Sequence, residues 1–232
     1  MATLSFGQRG PNPNTPCMSA PRSVTRIHLV RHGAVAAPWH ERIYGDLDVP
    51  LSERGEQQSR ALVHALQGQP IHGVISSGLS RTAYLAELLA DQAGLAAVVD
   101  SRFRELNRGA WAGWGRDQVE AAAPGAWDQF WAQGGVFPVP GGETLSQLQT
   151  RVDLALEDTG RAFECREVVV VAHKWVLRAC LCKVLGLPLE SSPKLNVPHV
   201  GTATLEREPG HAWHLGHLSW DAMGGWDKGV EG

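Results

Sequence analysis

The sequence predicts an α/β fold in three layers (α/β/α), with a mostly parallel central sheet between helices. Short apolar runs alternate with longer amphipathic segments, which is the pattern of strands that alternate with helices. The clearest run, residues 168–172, contains four valines and an alanine. Continuous β-branched residues are typical of a central parallel strand that is buried on both faces. In such sheets, ligands bind at the carboxyl ends of the strands.

The elements can be placed in chain order from these patterns. Strands are predicted at 24–31, 71–76, 96–100, 168–173 and 202–207, and an edge strand is a further candidate at 212–216. Helices are predicted at 52–67, 79–93, 143–162 and 174–185.

Length and composition are typical of one enzyme-sized domain. With 232 residues, of which 43% are hydrophobic, the chain can bury a substantial core. We assign this domain to residues 23–232. Residues 1–22 are rich in Pro, Gly, Asn and Ser and have no apolar signal-peptide core, so they are predicted to be a disordered N-terminal extension.

The triplet Arg31-His32-Gly33 directly follows the first predicted strand. An arginine offers a fixed fork of donors that suits phosphate, and a histidine ring nitrogen can act as a nucleophile. Gly33 would let the backbone approach a ligand closely. Taken alone, such a triplet is more often a surface pair at the end of a strand, so its meaning depends on the rest of the chain.

Two further basic residues stand at similar junctions. His173 directly follows the valine strand, so His32 and His173 would meet over one crevice if their strands are neighbours. The alternative for His173 is a histidine satisfied inside the core. Arg81 falls in the first turn of a predicted helix, where acidic residues are favoured. A bound anion would explain an arginine there, and the alternative is a solvated side chain.

Residues 103–113 are predicted to be irregular, because glycine and tryptophan interrupt any regular period. Glu105 in this segment could serve as a general acid if burial or a nearby anion keeps it protonated. The alternative is an ordinary surface carboxylate.

Together these segments resemble the histidine phosphatase superfamily, also called the phosphoglycerate mutase-like fold, over roughly residues 24–220. The resemblance rests on blocks that occur in the family's order: Arg31-His32-Gly33 with 45–55, then 76–81, 105–113, 140–143 and the valine strand before His173. It implies the three-layer fold with one antiparallel strand.

The resemblance also implies a role for each candidate residue. His32 would attack phosphorus and carry a phosphohistidine, and Glu105 would protonate the leaving alcohol. The phosphoryl oxygens would be held by Arg31, Arg81 and His173, which agrees with the need for fixed cations in phosphoryl transfer. No cofactor and no metal ion are implied, and the histidines do not follow the usual metal-ligand spacings.

The sequence departs from the family pattern near the implied phosphate pocket. Ala34 and Val35 stand where many members have an acidic residue and then Ser or Thr. Pro38 stands where many members have an asparagine that helps to hold phosphate. Lys174 follows His173, where Gly or Gln is more usual, and could add a positive charge at the pocket rim or be a solvated lysine.

Residues 111–137 contain many large aromatic side chains among glycine and proline. One interpretation is a lid that closes over the substrate. The other is a small satellite core, which we favour for most of these residues because large aromatic side chains usually pack inside. The aromatic residues are Trp111, Trp114, Trp127, Phe130, Trp131 and Phe137.

Composition limits the partners. The net charge of −3 argues against general nucleic-acid binding, and the longest apolar run is too short to span a membrane. Four cysteines form neither a disulfide framework nor a zinc pattern, which suits a cytoplasmic protein. The nine tryptophans could support a homodimer interface, but the sequence does not decide this.

Within the superfamily, the residues after Glu105 and the stretch 140–151 resemble the phosphatase branch, including α-ribazole and broad-specificity phosphatases. The resemblance therefore implies a metal-independent phosphomonoesterase that acts on a small phosphorylated metabolite. One alternative is a cofactor-dependent phosphoglycerate mutase. Another is a catalytically weak module that binds a phosphorylated ligand, which Ala34, Val35 and Pro38 keep open.

Overall fold

The computed structural model describes residues 24–219, so the extension predicted at 1–22 lies outside the described residues. The strands are β1 (Thr25–Arg31), β2 (Gly73–Ser76), β3 (Ala97–Val99), β4 (Glu167–Ala172), β5 (Thr202–Arg207) and β6 (His214–Ser219). The helices are α1 (Glu53–Ala65), α2 (Ser80–Ala93), α3 (Arg116–Ala122), α4 (Ala126–Ala132), α5 (Leu145–Ala162) and α6 (Lys174–Leu185). Short 3-10 segments are Ala37–Trp39, Ser101–Phe103, Gly109–Trp111 and Leu189–Lys194.

The six strands form one sheet in the order β3-β2-β4-β1-β5-β6. Neighbouring strands from β3 to β1 pair in parallel, whereas β5 pairs antiparallel with both β1 and β6. In the described part of the chain, β5 is therefore the one strand of this sheet that runs against the others. The predicted three-layer α/β/α class with a mostly parallel sheet is confirmed.

The centre of the sheet contains a topological switch point. The chain leaves β1 through α1 towards β2, and it leaves β4 through α6 towards β5, on the other side of β1. These two connections run in opposite directions on opposite faces of the sheet, α1 beside α2 and α6 beside α5, which leaves a crevice at the carboxyl ends of β1 and β4. Arg31 and Ala172 are register partners, so the residues that follow them, His32 and His173, lie side by side at this crevice.

Alternate residues of β4 face opposite helical layers. Val169 and Val171 pack in a core with apolar residues of α1 and α2. Val168 and Val170 pack in a second core with residues of α5 and α6. All four side chains are fully buried, which explains why this strand is continuously apolar instead of alternating.

The predicted helices 52–67, 79–93 and 143–162 begin one or two residues before the observed ones, at or near the capping residue, whereas the prediction 174–185 matches α6. Ser52 precedes α1 and accepts a hydrogen bond from the amide of Gly55, and Thr144 precedes α5 and forms a capping box with Gln147. At the other end, α2 and α6 stop at Gly94 and Gly186, which adopt the left-handed conformation.

The aromatic segment 111–137 contains two short helices, α3 and α4, that the sequence analysis did not predict. Trp111 and Phe130 are buried in the core beside α5 and α6, with T-shaped rings 5.8 Å apart. These two side chains therefore pack inside, as expected for large aromatic residues, but in the main core of the sheet and not in a separate satellite core. Trp131 is 42% exposed and stands at the edge of the cavity described below.

Candidate active site

His32 is buried at the carboxyl end of β1 with one ring nitrogen already engaged. Its Nδ1 lies 2.7 Å from the carbonyl oxygen of Gly33. A carbonyl can only accept a hydrogen bond, so Nδ1 carries the proton and the lone pair of a neutral ring is on Nε2. Burial, and then the charges of Arg31 and Arg81, lower the pKa of His32 well below its ordinary value. The ring is therefore neutral and nucleophilic at Nε2.

Gly33 approaches the protein backbone more closely than the sequence analysis anticipated. A Cβ atom on Gly33 would lie 2.3 Å from the carbonyl oxygen of Gly55, at the start of α1. The small residue is thus required for contact between two backbone segments, in addition to presenting the carbonyl that orients His32. The predicted close approach to a ligand is not needed to explain this glycine.

His173 lies beside His32, with ring centroids 5.2 Å apart. Its Nε2 is 2.8 Å from Ser77 Oγ, which in turn is 2.9 Å from Thr82 Oγ1. The Thr82 hydroxyl donates to the carbonyl of Leu79, so Ser77 donates to Thr82 and accepts from His173 Nε2. Burial, and then the charge of Arg81, lower the pKa of His173 well below its ordinary value. The role of Ser77 in orienting His173 had not been inferred from the sequence.

Three side-chain nitrogens in this cluster are buried and have no hydrogen-bond partner among the described residues. They are Nε of Arg31, Nε of Arg81 and Nδ1 of His173. A buried polar group without a partner costs about 1–3 kcal/mol. These atoms belong to the three residues predicted to hold phosphoryl oxygens. A bound anion would accept from the two arginine nitrogens at once, and from Nδ1 of His173 when this ring takes up a second proton.

Arg81 is fully buried, not solvated, and the loop 45–52 holds it in place. Its guanidinium donates to the carbonyl oxygens of Gly45 and Leu47 at 2.7 and 2.6 Å. Asp48 accepts from the amide and hydroxyl of Ser80 at the start of α2. The loop motif therefore supports the arginine.

Glu105 is buried beside the N-terminus of α6. Its Oε1 accepts hydrogen bonds from the backbone amides of Leu106 at 2.9 Å and Trp175 at 3.2 Å. Arg151 of α5 donates to the carbonyl of Glu105 and forms an ion pair with Glu143. The block around Glu143 thus fixes the irregular segment that carries Glu105, which is 6% exposed and not an ordinary surface carboxylate.

A third histidine, His199, had not been predicted to belong to the site. Its Nε2 lies 2.9 Å from Nη2 of Arg31, and its ring centroid is 5.8 Å from that of His32. Burial and the charges of Arg31 and Lys174 lower its pKa to about 3. A neutral Nε2 can accept from the guanidinium, so His199 helps to orient Arg31. The only available signal was its place just before β5, the antiparallel neighbour of β1.

A cavity of about 840 Å³ opens at the site, with Arg31, Glu105 and His199 in its wall. Ala34 and Val35 also line it, so this part of the wall is apolar. The ionisable residues of the wall are mainly cationic, which suits an anionic ligand. The cations are Arg31, Arg42, Arg54, Arg108, Arg116, Lys174 and Arg178, and the carboxylates are Glu41 and Glu105.

We expect the histidines to make the fold sensitive to acid. The pKa values of buried His28, His32 and His173 are lowered in the fold, whereas the unfolded chain takes up protons near pH ~6.5. The unfolded state then binds more protons, so stability falls as the pH drops below ~6.5. Each buried histidine contributes about 1.4 kcal/mol per pH unit in that window.

Urea denaturation at a series of pH values from about 8 to about 5.5 measures this effect. The variant His199→Asn removes one group with a lowered pKa, so its free energy of unfolding should depend less steeply on pH. A flat profile between these pH values would contradict neutral, buried histidines.

Comparison with known proteins agrees with this geometry. Residues 27–221 match the family model of the histidine phosphatase superfamily (branch 1). The glucosyl-3-phosphoglycerate phosphatase of Mycolicibacterium vanbaalenii is 34% identical over 194 residues, which cover 81% of this chain and 85% of that protein. A probable phosphoglycerate mutase of Erwinia tasmaniensis is 30% identical over 188 residues, covering 79% and 85%.

Solved structures share the architecture. A mycobacterial glucosyl-3-phosphoglycerate phosphatase superposes with a TM-score of 0.73 at 30% identity, covering 83% of this chain and 97% of that one. The α-ribazole phosphatase of Shigella flexneri superposes with a TM-score of 0.73 at 20% identity, covering 83% and 95%, and shares the fold. With the strand-end histidines, the buried arginines and the matching sequence blocks in place, the chain belongs to the histidine phosphatase superfamily.

Proposed function

We propose that this enzyme is a metal-independent phosphomonoesterase that hydrolyses a small phosphorylated metabolite through a phosphohistidine at His32. One observation carries the proposal. Buried, unpartnered nitrogens of Arg31, Arg81 and His173 lie around His32, a neutral histidine that carries its lone pair on Nε2. A nucleophile and fixed cations are the two devices that phosphoryl transfer requires.

In the first step, Nε2 of His32 attacks phosphorus and forms a P–N bond while the P–O bond to the alcohol breaks. Glu105 gives its proton to the departing oxygen. Charge on the remaining phosphoryl oxygens is stabilised by Arg31, Arg81 and His173. In the second step, water attacks phosphorus, Glu105 takes a proton from it, and the P–N bond breaks to release inorganic phosphate and neutral His32.

Two alternatives use the same residues differently. A mutase would pass the phosphoryl group to a second hydroxyl instead of water, and the similarity to a probable phosphoglycerate mutase keeps this alternative in view. A module that only binds a phosphorylated ligand would not need a neutral nucleophile. The placement of Glu105 in the same cavity wall as Arg31 favours catalysis over binding alone.

We expect release of inorganic phosphate from small phosphomonoesters to persist after exhaustive chelation, because side chains supply the positive charge. Within residues 24–219, no group of three or more His, Cys, Asp or Glu side chains is placed to hold a metal ion. A colorimetric phosphate assay with and without EDTA measures this. Loss of activity that magnesium or manganese restores would contradict the proposal. In a separate assay, isomerisation of 3-phosphoglycerate that is stimulated by 2,3-bisphosphoglycerate would identify a mutase.

Further proposals concern the domain organisation, the cellular location and the partners of the enzyme. We propose that residues 23–232 form one domain and that the protein is cytoplasmic, supported by the free thiols of Cys180 and Cys182. No helix within residues 24–219 has the length and apolar character needed to cross a membrane. A homodimer stays a prediction, as does the lack of nucleic-acid partners.

A further inference from the structure

Arg108 is a buried cation that the proposed phosphoryl transfer does not use. It is 8% exposed and lines the cavity. Its guanidinium carbon lies 5.0 Å from the ring centroids of both Phe130 and Trp175. Among the described residues, its side chain has no carboxylate within ion-pair distance and no hydrogen-bond acceptor. Burial lowers its pKa to about 10, so it still carries a charge near neutral pH.

The backbone around Arg108 leaves space for this arrangement. Gly45 has a positive φ of +47°, and a Cβ atom there would lie 2.6 Å from Cγ of Arg108. The same glycine offers its carbonyl to Arg81. Because Gly45 has no side chain, the aliphatic part of Arg108 can pass beside the loop that holds Arg81.

Two further cations lie near Arg108 in the cavity wall. Lys174 forms no ion pair with any described residue, and burial together with the charges of Arg31 and Arg178 lowers its pKa to about 8. Arg178 donates to the carbonyl oxygens of Pro193 and Leu195 but leaves Nη1 buried and unpartnered. Its guanidinium carbon lies 4.9 Å from the ring of Trp175.

These cations lie in the same cavity wall as Arg31 of the phosphate site. Glu105 interacts electrostatically with Arg108 and Lys174 and also with Arg31 and Arg81. Backbone amides already occupy its Oε1. A small molecule in this cavity could therefore place one anion at Arg31 and Arg81 and a second at Arg108 and Lys174. Buried cations without partners are costly unless an anion pairs with them.

We propose that Arg108 and Lys174 form a second anion subsite, so that the substrate carries a carboxylate or a second phosphate besides the phosphoryl group that is transferred. This inference rests on the proposed function of the same cavity. It names the substrate class as phosphomonoesters with a further anionic group. Arg178 is a positioning residue that supports Trp175 and adds positive charge.

Matched ligand pairs test the subsite without turnover. Titration calorimetry on the variant His32→Ala would compare 3-phosphoglycerate with glycerol 3-phosphate, which differ by a carboxylate. A second pair, fructose 1,6-bisphosphate and fructose 6-phosphate, differs by a phosphate. We expect the ligand with the extra anion to bind about 10- to 100-fold more tightly in at least one pair. The pair that shows the preference identifies the anion as carboxylate or phosphate.

The double variant His32→Ala/Arg108→Met should lose most of that preference, because methionine keeps an apolar stem but no charge. His32→Ala/Arg108→Lys keeps the charge and should retain part of it. Arg116→Met in the same background is the matched control, since Arg116 lines the cavity but is paired with Asp128 at an exposed position. Its ratio of affinities should not change.

The outcomes separate this inference from the proposed function. Equal affinities within both pairs, or a preference that survives Arg108→Met in a folded protein, would overturn the subsite even if the unmodified enzyme hydrolyses phosphomonoesters. Conversely, a preference that depends on Arg108 would support the subsite even if turnover of every phosphomonoester is absent. Thermal melts of each variant establish that the comparison is between folded proteins.

Discussion

The variant His32→Ala is expected to lose turnover by about four powers of ten or more, because it removes the nucleophile and with it the covalent pathway. The structure makes this expectation specific to one atom. The carbonyl of Gly33 holds the proton on Nδ1, and burial between two arginines keeps the ring neutral, so Nε2 is the reacting nitrogen. The measurement is steady-state release of inorganic phosphate from a phosphomonoester.

Rapid quenching of the unmodified enzyme with labelled substrate should also trap phosphate on His32 as an acid-labile, base-stable adduct. His199→Asn is the matched control, because it alters another histidine whose ring lies 5.8 Å from His32. That variant should be slower, since Arg31 loses a contact, and yet still form the adduct. If no label attaches to the protein and His32→Ala remains active, direct attack by water is the better mechanism.

The residues at strand ends were predictable because their position follows from sheet topology. Once the runs before His32 and His173 are assigned as buried parallel strands, both side chains must lie at the carboxyl edge of the sheet. Their adjacency depends on β1 and β4 being neighbours, which the sequence alone does not establish. The register between Arg31 and Ala172 supplies that missing step.

The supporting residues were harder to predict because their roles depend on contacts between distant segments. His199 reaches Arg31 across 168 positions in the chain, and Ser77 reaches His173 across 96. Neither lies at a position that any helical or strand period marks. Arg108 lies in the block 105–113 that resembles the family, but nothing in the sequence shows that its charge is buried without a carboxylate partner.

The helices α3 and α4 were missed for a local reason. Each has seven residues, which is too short for an amphipathic period to be distinguished from a loop rich in aromatic residues. Their stability comes mainly from tertiary packing, since isolated helices of this length are marginal. Phe130 provides such packing by its contact with Trp111 and by lying under the guanidinium of Arg108.

The second large effect is expected for Glu105→Gln, and its size should depend on the leaving group. An alkyl alkoxide is a poor leaving group that needs a proton, whereas nitrophenolate departs readily without one. On an alkyl phosphate the variant should lose about two to four powers of ten in the rate of phosphoenzyme formation. On p-nitrophenyl phosphate the loss in the same step should be far smaller.

Glutamine is the appropriate replacement because it keeps the geometry of the site. Its side-chain carbonyl can accept the two backbone hydrogen bonds that Oε1 now receives from Leu106 and Trp175. Only the ability to give and take a proton is removed. Dephosphorylation must be followed separately in quenched-flow experiments, since Glu105 is also expected to deprotonate the attacking water.

Equal losses on the two substrates in the phosphorylation step would contradict a general acid at this position. Glu105 would then act only by shaping the pocket and by holding the N-terminus of α6. The proton would have to come from another group. His173, whose ring centroid lies 5.2 Å from that of the nucleophile, is a candidate when the bound phosphoryl group brings a second proton to its Nδ1. The leaving-group dependence of a His173 variant would decide between the two residues.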